Sequence, residues 1–339
     1  ARGQWFDPTS RYHSRKIPNY CSTGAPMVKC FYEKVSIYIG RGNVMKKLLG
    51  IVVLGLLWSS YSFAGVEEVI KEIKKNKDLA QGFNKVKEYE KRNNWRVTNK
   101  AILKSDKSTR EHVLKIVKKS EGYPVRFGEE SIRFEVRAGD GWGWDSRNDR
   151  ERVELLICCV NKKTTWSAWS IYYPNDFKVI FPAKSMMAQF HNDGDLPPGF
   201  TFQNQSDKFT KEGGGYWIEV DEYIGGNNIP KKLLDKSEVL GKWNDVLVNA
   251  KWSHKKDGFF KIWINGKLMF DYKGMTQKIK DEKIEFHFGI YRSFMSRSPG
   301  PDPTQIVFYD EIRYAKSCKK IKLKDLGYSC KEIEGQTIK

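Results

Sequence analysis

From Ser131 to Tyr314 apolar and polar residues alternate in short runs and do not recur at helical spacing. In Ser131-Ile132-Arg133-Phe134-Glu135-Val136-Arg137 the apolar side chains share one face of a strand and the charged ones the other, and Gly139-Asp140-Gly141 ends the run as a turn. The same pattern predicts strands over Val153–Val160, Trp166–Tyr173, Ser185–His191, Tyr216–Tyr223, Asp245–Trp252, Phe259–Ile264, Glu285–Tyr291 and Ile306–Tyr314. Asp193-Gly194-Asp195, Gly213-Gly214-Gly215, Gly225-Gly226-Asn227-Asn228 and Ser298-Pro299-Gly300-Pro301 supply turn chemistry between them. Asn265-Gly266, set between two alternating runs, is a strong hairpin signal. Many short strands at modest spacing predict an all-β fold, a sandwich or jelly roll spanning residues 113–316. Only Val66–Ile73 shows apolar residues at i, i+3, i+4 and i+7, a short amphipathic helix opening a helical or irregular lead-in over 65–112.

One apolar run does not fit this scheme. Met45-Lys46-Lys47, the stretch from Leu48 to Trp58 and the small-residue end Ser62-Phe63-Ala64 have the layout of a bacterial secretory signal peptide over 45–64. The run is short for a membrane span, so no stable membrane insertion is expected after cleavage, and the protein is expected to be periplasmic or secreted. Residues 1–44 lie upstream of this start and read as non-native translation, while 317–339 form a C-terminal tail. The full chain of 339 residues has a net charge of +19, and without residues 1–64 it retains +12. Such a surface attracts polyanions. Nucleic acid, acidic polysaccharide and an anionic envelope surface are the candidates, and export together with the lack of a nucleic-acid motif argues against the first. No Cys-x-x-Cys pair or His/Cys cluster has zinc spacing. Cys318 and Cys330 are a candidate disulfide in an oxidising compartment, with the bonded and free states equally open.

The chemistry-bearing residues fall two apart on strands. Gln189 and His191 share a face while Phe190 takes the other, Arg152 and Glu154 repeat the arrangement, and His287 and Tyr291, four apart, also share a face. An amide, an imidazole, a guanidinium and a phenol on one sheet face suit chemistry on an acidic sugar. The C5 proton of a uronate is barely acidic while the neighbouring carboxylate is ionised. Donors must therefore neutralise that carboxylate before a base removes the proton and an acid protonates the leaving oxygen.

Four pieces in order resemble secreted polysaccharide lyases of the heparin-lyase-I and glucuronan-lyase kind. They are Arg147–Leu155, Tyr173-Pro174-Asn175-Asp176-Phe177, Ala188-Gln189-Phe190-His191 and Phe288-Gly289-Ile290-Tyr291-Arg292. The hairpin around Asn265-Gly266 is similar to that of concanavalin-A-like jelly rolls. The resemblance implies such a jelly roll and cleavage of uronic-acid-containing chains by β-elimination. It implies His191 and Tyr291 as the acid–base pair and Gln189 and Arg152 as carboxylate neutralisers, with Glu154 steadying Arg152 from behind. His287, Arg292, Arg150 and Tyr172 are expected to touch substrate. Where heparin-lyase-I-like members commonly carry Lys four residues before the Tyr, this chain has His287, which favours an unsulfated uronan such as glucuronan or alginate. No cofactor is required by this chemistry. A structural calcium near Asp193-Gly194-Asp195 and Asp140 is compatible with it, no catalytic metal is expected, and a monomer suffices. Two alternatives remain: a lectin-like module binding acidic glycans, and a jelly-roll glycoside hydrolase using Glu219 and Asp221.

Overall fold

The computed structural model describes residues 112–338 apart from 142, 159, 161–162, 193–195 and 205–212. The signal-peptide and upstream assignments, the helix at Val66–Ile73, nearly all of the lead-in and the Asp193-Gly194-Asp195 turn lie outside the described residues. In chain order the strands are β1 Leu114–Lys118, β2 Glu130–Val136, β3 Arg150–Cys158, β4 Thr164–Tyr172, β5 Lys184–Asn192, β6 Phe200–Gln203, β7 Tyr216–Val220 and β8 Lys231–Leu234. They continue as β9 Trp243–Lys251, β10 Gly258–Ile264, β11 Lys267–Gly274, β12 Ile284–Ser293 and β13 Gln305–Ala315. Three short helices accompany them: α1 Gly143–Arg147, α2 Lys236–Val239 and α3 Cys330–Glu334.

The strands form a seven-stranded sheet, β1-β2-β13-β4-β9-β10-β11, and a six-stranded sheet, β3-β12-β5-β6-β7-β8. Neighbouring strands in both are antiparallel. Alternation along each strand gives each sheet one apolar face, and the two apolar faces pack on each other as a sandwich. Aromatic pairs cross the interface: Phe134 of β2 meets Phe288 of β12 at 5.9 Å, Trp169 of β4 meets Phe286 of β12 at 4.8 Å, and Phe260 of β10 stacks on Phe200 of β6 at 3.8 Å. Each such ring, fully buried, contributes about 1.5–3 kcal/mol relative to exposure. Hydrophobic burial along β5 and β12 thus fixes which residues remain on the outer face.

The Asn265-Gly266 turn joins β10 to β11, with positive φ at both residues (51° and 79°), the conformation a two-residue hairpin of native twist requires. Three short strands, β1, β6 and β8, lack a clear alternating signal and were not expected. The strand expected over Tyr216–Tyr223 stops at Val220, because the Asp221 side chain accepts the backbone N–H of Tyr223 and caps a turn of 3₁₀ helix. Cys318 and Cys330 are disulfide-bonded. The C-terminal segment that carries this bond lays Cys318, Ile321, Leu323 and Ile333 over Trp166, Trp263, Leu247 and Leu268 on the outer face of the seven-stranded sheet.

The site strand contains an irregularity that the other sheet supports. The register of β12 against β5 shifts between Phe288 and Tyr291. There the Tyr309 hydroxyl, reaching from β13, donates to the Met187 carbonyl and lies 3.2 Å from the Gly289 carbonyl. Gly289 has φ of +140°, and a Cβ at this position would lie 2.2 Å from the Val153 carbonyl oxygen. The chain here can be only glycine if β12 is to approach β3 this closely. Gly289→Ala is expected to lower stability by about 1–3 kcal/mol through overpacking and strain, measured as a drop in the urea midpoint. An unchanged midpoint would show that the strand relaxes freely.

Candidate functional site

The outer face of the six-stranded sheet carries a row of polar side chains on its first three strands. β3 contributes Arg150, Arg152 and Glu154, β12 contributes Glu285, His287 and Tyr291, and β5 contributes Gln189 and His191. Register brings them together: His287 stands opposite Gln189, Glu285 opposite His191, and Tyr291 opposite Arg152.

Glu154 is at the centre and has no exposed surface. Its two oxygens accept from the Gln189 amide nitrogen at 2.8 and 3.0 Å. Arg152 Nη1 lies 3.5 Å away and His287 Nδ1 3.7 Å away. Burial works against ionising Glu154, but His287, Arg152 and the Gln189 amide outweigh it and hold the carboxyl below its usual range. An uncompensated charge at this depth would be prohibitively expensive, so the partners are a condition of folding as well as of chemistry.

Arg152 is gripped from behind by Asp145, a fully buried residue of α1, through Nε at 2.8 Å and Nη2 at 2.5 Å. Its guanidinium carbon lies 4.0 Å from the centre of the Tyr291 ring, a cation–π contact, and Arg150 approaches the same ring at 5.9 Å. Arg152 is therefore not a free fork. Two of its nitrogens are committed to Asp145, and its charge acts as part of a cluster containing two carboxylates. Asp145 was missed in the sequence, since nothing in its spacing shows that the loop before β3 folds back over that strand.

The two histidines stack, ring centres 5.5 Å apart, and their environments drive them in opposite directions. Burial and the proximity of His287 lower the pKa of His191, against smaller upward pulls from the Asn192 carbonyl and Glu154. Burial also disfavours charge on His287, yet the adjacent carboxylates Glu154 and Glu285 overcome it and raise its pKa. His191 Nδ1 bonds the backbone carbonyl of Asn192, which can only accept, so the neutral ring carries its proton there and leaves Nε2 as the basic nitrogen. Tyr291 is pushed up to about 12, mainly by burial, with Arg152 and Arg150 pulling the other way. Near neutrality the row holds a neutral imidazole and an intact phenol, a base and an acid in the forms each role needs.

Two expected substrate contacts are corrected. Arg292 does not share the face of Tyr291. It is fully buried on the inner side of β12, where its guanidinium binds Glu151 and the Pro303 carbonyl. Tyr172 belongs to β4 of the other sheet and packs on that sheet's outer side with Trp243 and Phe308, while its neighbour Tyr173 fills the core. The hydrolase alternative also fails on geometry. Glu219 faces outward on β7 but is committed to Lys184 at 2.9 Å, and Asp221, one residue past the end of the strand, is committed to capping the following turn. Asp140 is buried and accepts from His112 at 2.8 Å and from the Arg137 backbone at 2.7 Å, a structural role. No group of three or more His, Cys, Asp or Glu able to hold a metal occurs among the described residues.

The fold is a two-sheet antiparallel β-sandwich with a row of titratable side chains on one outer face. The polysaccharide lyase family model matches residues 98–313, and the chain belongs to that family. No curated protein sequence matches it. Among solved structures it is similar to an endo-β-1,4-glucuronan lyase from the fungus Trichoderma reesei, with 16% identity, 60% of this chain and 87% of that chain covered, and a TM-score of 0.44. It is also similar to an alginate lyase from Pseudomonas aeruginosa, with 18% identity, coverage of 55% and 83%, and a TM-score of 0.41. A third similarity is to a β-glucanase catalytic domain from Podospora anserina, with 10% identity, coverage of 60% and 79%, and a TM-score of 0.43.

Titration of the imidazole resonances by NMR should place the His191 midpoint below and the His287 midpoint above the unperturbed value of about 6.5. The stability that His287 contributes is full below that value and is lost as pH rises through its raised folded midpoint. His191 has the opposite sign, since its lowered midpoint makes folding less favourable as pH falls below about 6.5. Coincident midpoints would contradict this picture. Asp145→Asn, which leaves Arg152 buried with one carboxylate fewer, should cost about 3–5 kcal/mol in urea unfolding.

Proposed function

We propose that this lyase cleaves an unsulfated polyuronate by β-elimination, with His191 as base and Tyr291 as acid. The observation that supports this most directly is the shared outer face. His191, with Nδ1 bound to a carbonyl and Nε2 free, and Tyr291, held as a phenol against Arg152, lie at the two ends of one row of carboxylate-binding groups. A uronate lying over the row sets its carboxylate among Gln189, His287 and the arginines. His191 removes the C5 proton, the C5 electron pair forms the C4–C5 double bond, and the C4–O bond breaks. The departing oxygen takes the phenolic proton of Tyr291, and water later returns each residue to its starting form.

The arrangement assigns different work to the cations. Arg152 is balanced by Asp145 and Glu154, and His287 stands between Glu154 and Glu285, so a bound carboxylate meets the donors of the whole cluster, with Arg150 partly exposed at its edge. Imidazolium is a compact partner for one carboxylate and a weaker holder of sulfate than a lysine, which supports an unsulfated chain. The antiparallel two-sheet topology supports a concanavalin-A-like jelly roll. The leader-like pattern at 45–64 supports export, and the basic charge supports a polyanionic substrate.

The test is incubation of the protein with glucuronan, alginate, pectate, hyaluronan, heparin and heparan sulfate, while ultraviolet absorbance of an unsaturated uronate is followed. Growth of that absorbance on an unsulfated member is expected. New reducing ends without absorbance would identify a hydrolase, and silence on all six would sink the proposal. His191→Ala and Tyr291→Phe should each lower kcat by about 10²–10⁴-fold, the range for loss of a positioned acid or base. Full activity in either variant would remove that residue from the mechanism.

A further inference from the structure

The outer face of the seven-stranded sheet is only partly covered by the C-terminal segment. The tail lies over the row Leu247, Trp263 and Leu268, and the next two rows of the same face continue beyond it. Asn249, Lys261 and Asp271 stand side by side on β9, β10 and β11, followed by Lys251, Phe259 and Lys273. Where α3 ends and these rows begin there is a cavity of about 560 Å³. Trp166 and Trp263, stacked at 5.6 Å, line its buried side, Phe259, Lys256 and Lys273 line its open side, and Glu334 comes from α3.

The charges here are not all spent internally. Lys251 is paired with Asp257 at 2.8 Å and Lys261 with Asp271 at 3.1 Å, but Lys256 and Lys273 are exposed and form no ion pair among the described residues. The indole N–H of Trp263 also lacks an acceptor among them, although a buried donor ordinarily finds one. A half-exposed phenyl ring beside amide, carboxylate and ammonium groups matches a sugar that offers a flat C–H face, hydroxyls and a carboxylate.

We infer that this groove is a second glycan-binding site, which holds an anionic polysaccharide chain on the face opposite the catalytic row. Its role is retention. An enzyme acting on a gel or wall meets many strands at once, and a hold on one strand raises the effective concentration of its neighbours at the catalytic face. That the anion is a uronate rests on the reading above, while the groove itself requires only a negatively charged glycan.

The experiment compares the parent protein with Phe259→Ala/Lys273→Ala, two partly or fully exposed positions remote from the catalytic row. Retention on immobilised alginate and glucuronan, and on immobilised neutral dextran, is measured beside turnover of polymer and of a short oligouronide. The variant is expected to lose retention on the polyuronates and to show KM for polymer raised about 3–10-fold, the loss expected from one stacked ring. Its turnover of the oligouronide should be unchanged, which also reports an intact fold. Equal retention of parent and variant overturns the groove, and so does equal retention of the parent on dextran. Failure of the two readings is separable. Selective retention without turnover of any uronan leaves the groove standing and removes the substrate assignment, whereas turnover indifferent to the double substitution removes the groove alone.

Discussion

The charge on Glu154 is the constraint around which the catalytic face is arranged. A carboxylate with no access to water has to be met by donors and cations, and here it is met by an amide from β5, a guanidinium from β3 and an imidazole from β12. Those are the three strands that carry the row. The same contacts orient Gln189, fix Arg152 between two carboxylates and favour the charged form of His287. His191, stacked on that imidazole, is in turn discouraged from becoming charged. Burial and the neighbouring imidazole thus hold His191 down, while Glu154 and Glu285 together hold His287 up. This follows from the general behaviour of coupled titrating groups in a site of low polarity.

Much of this was legible in the residues because a strand has a period of two. Gln189 with His191, and Arg152 with Glu154, emerge on the expected face because Phe190, Val153 and Leu155 have nowhere else to go but the core. The same rule places Arg292 on the opposite side of β12 from Tyr291, so its burial with Glu151 was available from parity alone. Tyr172 was different. Alternation gives its side of β4 but not which sheet β4 joins, and that depends on pairings distant in the chain. Asp145 left no local signal either, since its bond to Arg152 exists only because a glycine-rich loop returns over β3. The short strands β1, β6 and β8 are held by their neighbours more than by their own pattern.

The two outer faces of the sandwich are put to different uses. One carries the buried polar row, and the other carries tryptophans, a disulfide-closed tail and a lysine-bordered groove. Only the first carries the paired histidines and the tyrosine set against arginines. The family match fits that division, since it ends at residue 313 and so leaves the tail outside the matched span.

The position of the last two strands has a consequence for how the chain acquires its shape. β12 is inserted between β3 and β5, and β13 between β2 and β4, so in each sheet earlier strands are joined only by the final part of the sequence. A chain that has reached the end of β11 still lacks the strands that tie β3 to β5 and β2 to β4. Contacts so distant in sequence form slowly and late. Closure of both sheets and arrival of the strand that carries His287 and Tyr291 therefore belong to the same late step.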